Sequence, residues 1–447
     1  ALAGACAGGT PLPPPLDAGT RDTGTTEGAS TPDGGGYLAQ NPVPDMNVPA
    51  GQLLLTASGE VLALQGYNFP PQNPGDPVFA DGWELRFTHA IATFDKVTLS
   101  NNPDMVPTDQ SQTGSLVAEL DGPWAVDVHA NDASWPYVTG KETGERAVAF
   151  AVLANENRNG NTPFPTDGTR LAVGFDTVVA TQHALNVNLD AAGLTYYQQM
   201  VQNGCVVLYT GQATWKGDQG AGLCGRPLAD GGAEGGCSGP GPGTGTEAEF
   251  GNLPEVVNFE LCFKPHMALP TPGAVETTYI NCDNQDNDPA PALNGEPHQR
   301  GIAFKANTYS TGEVTFHTDH PFWESTLHDT PARFDPFAAQ VVGRADGGIP
   351  TVHFEDVIGV DYTGFNDNQG MPLNWRTCDP HYTNPNMGSR CGQMHFDPLA
   401  VPHCMNGDPG TGLCDYYDFS KYDQSTQGHW NGADGLCFVK RSYPSPK

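Results

Sequence analysis

Positive charge is scarce in this chain of 447 residues: 20 Lys and Arg stand against 51 Asp and Glu, a formal net charge of −31. That balance excludes nucleic acid as a partner, because its phosphates would be repelled at long range. It suits cation binding, or simply an acidic, well-solvated surface. Long apolar runs are also missing. None reaches the ~20 residues a membrane helix needs, so the body of the chain reads as soluble and membrane contact would require an attached lipid. No Cys-x-x-Cys pair exists, which excludes a zinc ribbon. Nor is there a Cys-x-x-Cys-His haem attachment, since Cys378-Asp-Pro-His381 and Cys391-Gly-Gln-Met-His395 are spaced differently. Gly-x-Ser-x-Gly, His-Glu-x-x-His and P-loop motifs are absent. Carboxylates are too numerous to single out a glycosidase pair.

What the chain does have is turn chemistry. Its 55 Gly and 40 Pro make up about a fifth of the residues, which implies many turns and few long helices. Between these clusters lie short segments of period-2 or apolar character, expected as strands: 52–56, 83–99, 115–120, 124–129, 147–153, 170–173, 181–189, 205–209, 255–262, 275–280, 301–305 and 313–317. Glu60-Val-Leu-Ala-Leu-Gln65 continues the first ordered stretch. One helix interrupts them, with Asp190 as N-cap, Leu194, Tyr197, Met200 and Val201 on one apolar face, and Gly204 closing it. Thr326–Val342 reads as partly helical, limited by Pro331 and Pro336. The expected fold is all-β, a β-sandwich (Ig-like or related) with long disulfide-stapled loops and one or two short helices. The expected layout is a signal remnant and flexible Pro/Gly-rich tether over 1–50, then sandwich over 51–215. A Gly-rich disulfide loop (216–254), more sandwich (255–345) and a Cys-rich irregular cap (346–447) follow.

Eleven cysteines point to an oxidising compartment. Ten of them, Cys205, Cys224, Cys237, Cys262, Cys282, Cys378, Cys391, Cys404, Cys414 and Cys437, can form five disulfides of undetermined connectivity. Cys6 stands apart. Ala1-Leu-Ala-Gly-Ala-Cys6 resembles the lipobox of bacterial lipoproteins, in which the cysteine carries a lipid anchor, although Ala3 stands where Leu is commonest. The alternative for Cys6 is an ordinary thiol paired with another chain.

The stretch with most chemistry is Glu313-Val-Thr-Phe-His-Thr-Asp-His-Pro-Phe-Trp-Glu324. Glu313, Thr315 and His317 alternate with Val314 and Phe316 as on a half-buried strand, and Asp319, His320 and Pro321 then break the pattern. Strand ends opening into loops are where scaffolds present functional groups. His317 and His320, three residues apart across a turn, can converge on one metal ion. Asp319 could orient one ring, and Trp323 could wall the site. His89, in Phe87-Thr-His-Ala-Ile91, and His129, ending Trp124-Ala-Val-Asp-Val-His129, are candidates to complete it. Copper in an oxidising compartment favours imidazole with thioether. The adjacencies His266-Met267, Met394-His395 and His403-Cys404-Met405 fit that combination.

The cysteine-bearing tail, the opening Asp81-Gly-Trp-Glu-Leu-Arg-Phe-Thr-His89 and the His/Trp pairing resemble the secreted copper-binding proteins of the MbnP and MopE kind. Asn281-Cys-Asp-Asn-Gln-Asp-Asn-Asp288 is similar to one degenerate copy of the short acidic repeat of MopE-type proteins. The resemblance spans about Asp81–Trp215 and that loop. It implies an extracytoplasmic β-sandwich that binds copper through histidines, sometimes beside a tryptophan oxidised to kynurenine. No ligand motif of the family matches residue by residue, so no functional residue is carried over.

Asp283, Asp286 and Asp288 also offer hard oxygen ligands that suit calcium, without the full EF-hand pattern. Asp361 and Asp367 are a second acidic pair of this type. Thr315-Phe-His-Thr-Asp-His320 resembles the His-x-His-x-Asp-His motif of metallo-β-lactamase-fold hydrolases, with Thr315 in place of the first histidine. That fold needs alternating helices and strands, which this chain lacks. Two expectations remain: a non-catalytic metal site, for copper, on a secreted or surface-tethered lipoprotein, or a structural subunit that self-assembles or docks on a protein partner at the cell surface.

Overall fold

The structure is a computed structural model describing residues 38–72, 76–79, 81–132, 134–216, 253–265, 271–287, 293, 296–323, 332–344, 348–360 and 416–441. The chain separates into two units, Ala1–Gly36 and Tyr37–Lys447, and everything below belongs to the second. Cys6, Cys224, Cys237, Cys378, Cys391, Cys404, Cys414, Asp288, Asp361, Asp367 and the three His/Met adjacencies lie outside the described residues.

Strand β3 (Trp83–Ser100) is the longest, because 18 residues run without Gly or Pro. Its first half pairs with β10 (Val207–Trp215), its second half with β8 (Arg170–Val178), and on its other edge lie β5 (Trp124–Asp127) and β4 (Leu116–Leu120). Beyond β10 come β11 (Val256–Phe263) and β15 (Thr351–His353), and beyond β5 come β9 (Leu185–Asn186) and β1 (Ala39–Gln40). β12 (Val275–Ile280), β13 (Ile302–Ala303) and β17 (Phe438–Arg441) extend the sheet from β8. The second sheet has five strands in the order β16 (Gly428–Trp430), β14 (Ser310–Phe316), β2 (Leu53–Ser58), β7 (Arg146–Leu153), β6 (Tyr137–Thr139). Every residue of β2 is buried, as expected for a central strand covered on both faces.

The two sheets meet through aromatic rings. Phe94 and Trp124 of the first sheet pack against Phe150 and Phe316 of the second, with centroid separations of 4.9–5.9 Å. The fold is therefore an all-β sandwich. Among the described residues the α-helices are α1 (Glu60–Gln65), α2 (Ala191–Asn203), α3 (Asp335–Ala338) and α4 (Tyr416–Gln424). α2 forms as its sequence dictates: Asp190 accepts from the Gly193 N–H at 2.7 Å, and Gly204 closes the helix in the left-handed conformation. Of the segment 181–189 only Leu185–Asn186 is strand, since the Ala184 N–H turns back to the Thr181 carbonyl. No described helix is long and apolar enough to cross a membrane.

Among the described residues two disulfides are formed, Cys205–Cys262 and Cys282–Cys437. Residues 416–441, expected as part of an irregular cap, instead supply a helix and a strand to each sheet. The Cys282–Cys437 bridge ties that segment to the end of β12.

Candidate metal centre

β2 and β14 run parallel with Ser58 opposite Thr315, so both strands finish at the same end of the sheet. β16 lies antiparallel on the other edge of β14, with His429 opposite Thr315 and Trp430 opposite Val314. Paired residues share a face. Val314, Phe316 and Trp430 consequently face the core, while Glu313, Thr315, His317 and His429 share the opposite face. The period-2 pattern anticipated that division for β14. The His317 N–H donates to the Gln427 carbonyl at 3.0 Å, which fixes the end of β14 against the start of β16.

Pro321 then forces a short 3₁₀ turn, His320–Phe322, in which the Phe322 N–H donates to the Asp319 carbonyl at 2.9 Å. The turn brings the fully buried His320 back toward His317. α4 lies against it, and the Ser420 hydroxyl donates to the Pro321 carbonyl at 3.1 Å. One ligand atom from each of His317, His320 and His429 falls within 4.8 Å of the other two. Ring centroids are 5.2 Å apart for His317–His320, 4.1 Å for His317–His429 and 5.7 Å for His320–His429. This is the one group of three or more such donors among the described residues.

The groups behind each ring decide which nitrogen carries the lone pair. His429 Nδ1 is 2.8 Å from the Ala433 carbonyl, which can only accept, so Nδ1 holds the proton and Nε2 the lone pair. His320 Nδ1 lies 2.8 Å from Thr426 Oγ1 and 3.2 Å from the Asp423 carbonyl. The Thr426 hydroxyl itself donates to that carbonyl at 2.7 Å, which makes His320 Nδ1 the donor and again leaves the lone pair on Nε2. His317 Nε2 is 2.9 Å from Glu60 Oε1 and its Nδ1 is 3.8 Å from Asp319 Oδ1. Each of the three imidazoles thus has an acceptor at one nitrogen, the arrangement that orients metal-binding histidines.

Burial pulls the His317 pKa down, but Glu60, Asp319 and Glu142 overcome it and hold the imidazole up at about 9. Burial raises the Glu60 carboxyl, partly offset by His317. Behind Glu60 the Ser58 hydroxyl donates to Glu145, and the Glu60 N–H donates to Ser58 Oγ at 2.9 Å. Burial, then Glu60 and Glu145, pushes Glu142 up to about 7, and burial with Glu145 raises Glu313 well above the carboxylate range.

Of the residues anticipated from sequence, His317 and His320 are brought together with Asp319 nearby. Asp319 does not hold the ring by a hydrogen bond at 3.8 Å; Glu60 stands at that ring instead. Trp323 follows the turn and is half-buried, its N–H donating to the His320 carbonyl at 3.3 Å. His89 and His129 are not in the group. His89 sits on β3 in the other sheet, its Nδ1 2.7 Å from Asp127 and its Nε2 4.0 Å from Asp190. His129 Nδ1 donates to the Ala63 carbonyl of α1 at 2.5 Å. Both are satisfied, buried histidines. Of the acidic loop, Asp288 lies outside the described residues and the other two have local surroundings of their own. Burial, then Glu296, pushes Asp283 up to about 9, so it keeps its proton at neutral pH, while Asp286 pairs with Lys141 at 2.7 Å.

His429 and Glu60 escaped the sequence reading. The sequence carries a signal for His429 in Gly428-His-Trp430, a His/Trp pair beside a turn, but only the strand register aligns it with Thr315.

The fit to copper follows from the donors. Metal–nitrogen bonds of about 2 Å need donor atoms no more than about 4 Å apart. Donors within 4.8 Å reach that after roughly 1 Å of ring movement. Imidazole suits copper and zinc, with copper(II) the tighter of the two. Comparison with protein-family models, curated proteins and solved structures yields no match to this chain.

Proposed function

We propose that this protein is an extracytoplasmic, non-catalytic copper-binding β-sandwich whose ligands are His317, His320 and His429. The observation that carries the reading is the convergence of three imidazole donors within 4.8 Å, each ring with an acceptor at another nitrogen. Supporting it are the two disulfides, which belong to an oxidising compartment, and the resemblance to the MbnP and MopE kind. In this reading the acidic surface keeps the protein soluble, and Cys6 tethers it to a membrane through a lipid.

The test is elemental analysis of the native purified protein. Copper near one equivalent, lost in His317→Ala, His320→Ala and His429→Ala, is the expected result. Metal content unaffected by those substitutions would remove the site. Zinc in place of copper would favour a hydrolytic role, since three imidazoles with an open position also make a catalytic zinc site. A metal-free protein that forms regular assemblies would favour the structural-subunit reading.

A further inference from the structure

We infer that the cleft between residues 41–52 and the two sheets binds a small organic cation, a primary ammonium carried on an apolar body. The inference is independent of the copper reading, since no residue of the metal centre lines the cleft.

The cleft follows from how the chain crosses from one sheet to the other. Asn41 ties the two together: its N–H donates to the Asn186 carbonyl of the first sheet at 2.7 Å, and its Nδ2 donates to the Phe150 carbonyl of the second at 2.8 Å. Pro42, Pro44 and Pro49 come next, and without N–H groups they cannot extend a ladder. The segment therefore runs without strand pairing until β2 begins at Leu53. The space left between it and the sheets is about 470 Å³, a volume that holds a small ligand. Its floor is apolar and fixed in advance. Trp124 and Phe150, one from each sheet, have ring centroids 4.9 Å apart and belong to the core that joins the sheets. A ligand would meet rings already in place, so little is lost in ordering them.

The charge on the cleft is of one sign. Asp45, Asp121 and Glu156 line it, all three exposed, and no Lys, Arg or His does. None of the three forms an ion pair among the described residues. Asn41 adds a buried acceptor. The residue is 3 % exposed and lines the cleft; its Nδ2 donates to the Phe150 and Pro42 carbonyls, while its Oδ1 takes no hydrogen bond. An amide oxygen fixed in this way is ready to accept from a ligand N–H. The three prolines bring carbonyls and no donors. Asn47 Nδ2 donates to Asp45 Oδ1 at 3.0 Å, and the remaining side-chain donors of the lining, the Gln52 amide and the Trp124 indole, are neutral.

These features together choose the ligand. An anion would be repelled by three carboxylates, and a neutral apolar molecule would leave Asn41 Oδ1 without a donor. An ammonium group answers both. A ring or short alkyl chain attached to it covers Trp124 and Phe150, whose faces also attract a cation.

The experiment is isothermal titration of the full chain with phenethylammonium, using 2-phenylethanol and 3-phenylpropionate as neutral and anionic probes of similar shape. About one equivalent of the ammonium should bind, at roughly millimolar concentration or below for a ligand of this size. The other two probes should bind at least about 10-fold more weakly. Asp121→Asn combined with Glu156→Gln should weaken the ammonium about 10-fold and flatten its dependence on salt. Both acids are exposed, so the double variant should keep the fold, which circular dichroism checks. Asp167→Asn, at an exposed acid outside the cleft, and His317→Ala should leave binding unchanged. Binding untouched by the double variant, or lowered as much by Asp167→Asn or His317→Ala, would overturn the inference. So would 2-phenylethanol binding as tightly as the ammonium, or an ammonium that does not saturate.

Discussion

At the scale of single residues, the centre depends on what stands behind each imidazole. Thr426 is the clearest case, because its hydroxyl passes its proton to the Asp423 carbonyl and so must accept from His320. Thr426→Val keeps the shape and removes the acceptor. We expect copper affinity to fall about 10–100-fold with the circular dichroism spectrum unchanged, the usual effect of removing a group that orients a ligand. An unchanged affinity in a chelator competition would show that the Asp423 carbonyl, 3.2 Å away, holds the ring alone. His317 and His320 were legible in sequence because a strand pattern ends and Pro321 forces a turn within four residues. Glu60 was not legible. Its role comes from a positive φ and from the parallel pairing of β2 with β14, neither of which leaves a mark on local composition.

Among the elements, the C-terminal segment matters most, since α4, the turn after it and β16 bring Asp423, Thr426 and His429 to the site. The Cys282–Cys437 bridge closes a separation of 155 residues. By the chain-entropy account its loss should cost about 5 kcal/mol. Cys282→Ser combined with Cys437→Ser should therefore lower stability by roughly that amount in urea unfolding, and should weaken copper binding by freeing the strand that carries His429. A variant that is destabilised yet binds copper as tightly would show that β14–β16 pairing alone holds the histidine. Gly428 is a second sensitive point. A Cβ there would sit 2.4 Å from the Tyr279 ring, whose hydroxyl donates to the Ser425 carbonyl at 2.8 Å. Gly428→Ala should cost about 1–3 kcal/mol, the range for overpacking. The strands themselves were largely visible as period-2 runs between Gly/Pro clusters. Their partners were not, because pairing of residues a hundred positions apart depends on the whole core. Hence His429, on a three-residue strand near the end of the chain, could not be joined in advance to Thr315.

For the whole molecule, the acid surplus sets how stability responds to pH. Sequence exposes the surplus but not its location, and among the described residues twelve acids are buried against three buried cations, Arg300, Arg333 and Lys421. Burial, then Asp335, pushes Asp81 up to about 7, and burial, then Glu296, pushes Asp283 up to about 9; burial also raises Asp176 and, with Glu145, Glu313. An acid whose pKa is raised on folding keeps its proton after the unfolded chain has lost it. The folded state then binds more protons, so stability falls as pH climbs from the ordinary carboxylate value, about 4, to the folded value. His89 acts in the same direction. Burial lowers its pKa, but Asp127 and Asp190 raise it overall, so its contribution is present below 6.5 and is lost as pH rises through the folded value. The metal-free protein should therefore be most stable near pH 4 and lose about 1.4 kcal/mol per pH unit above it for each proton taken up on folding. Asp283→Asn removes one such proton, so its stability curve should be flatter by up to that slope between about pH 4 and 9, and the variant should gain on the wild type as pH rises. Urea unfolding at pH 5, 6, 7, 8 and 9 decides the matter. A wild-type curve that is level or climbs between pH 5 and 8 would mean that these buried carboxyls are ionised in the folded chain. The sandwich would then have to hold them by charge pairing with its few buried cations instead of by keeping them neutral.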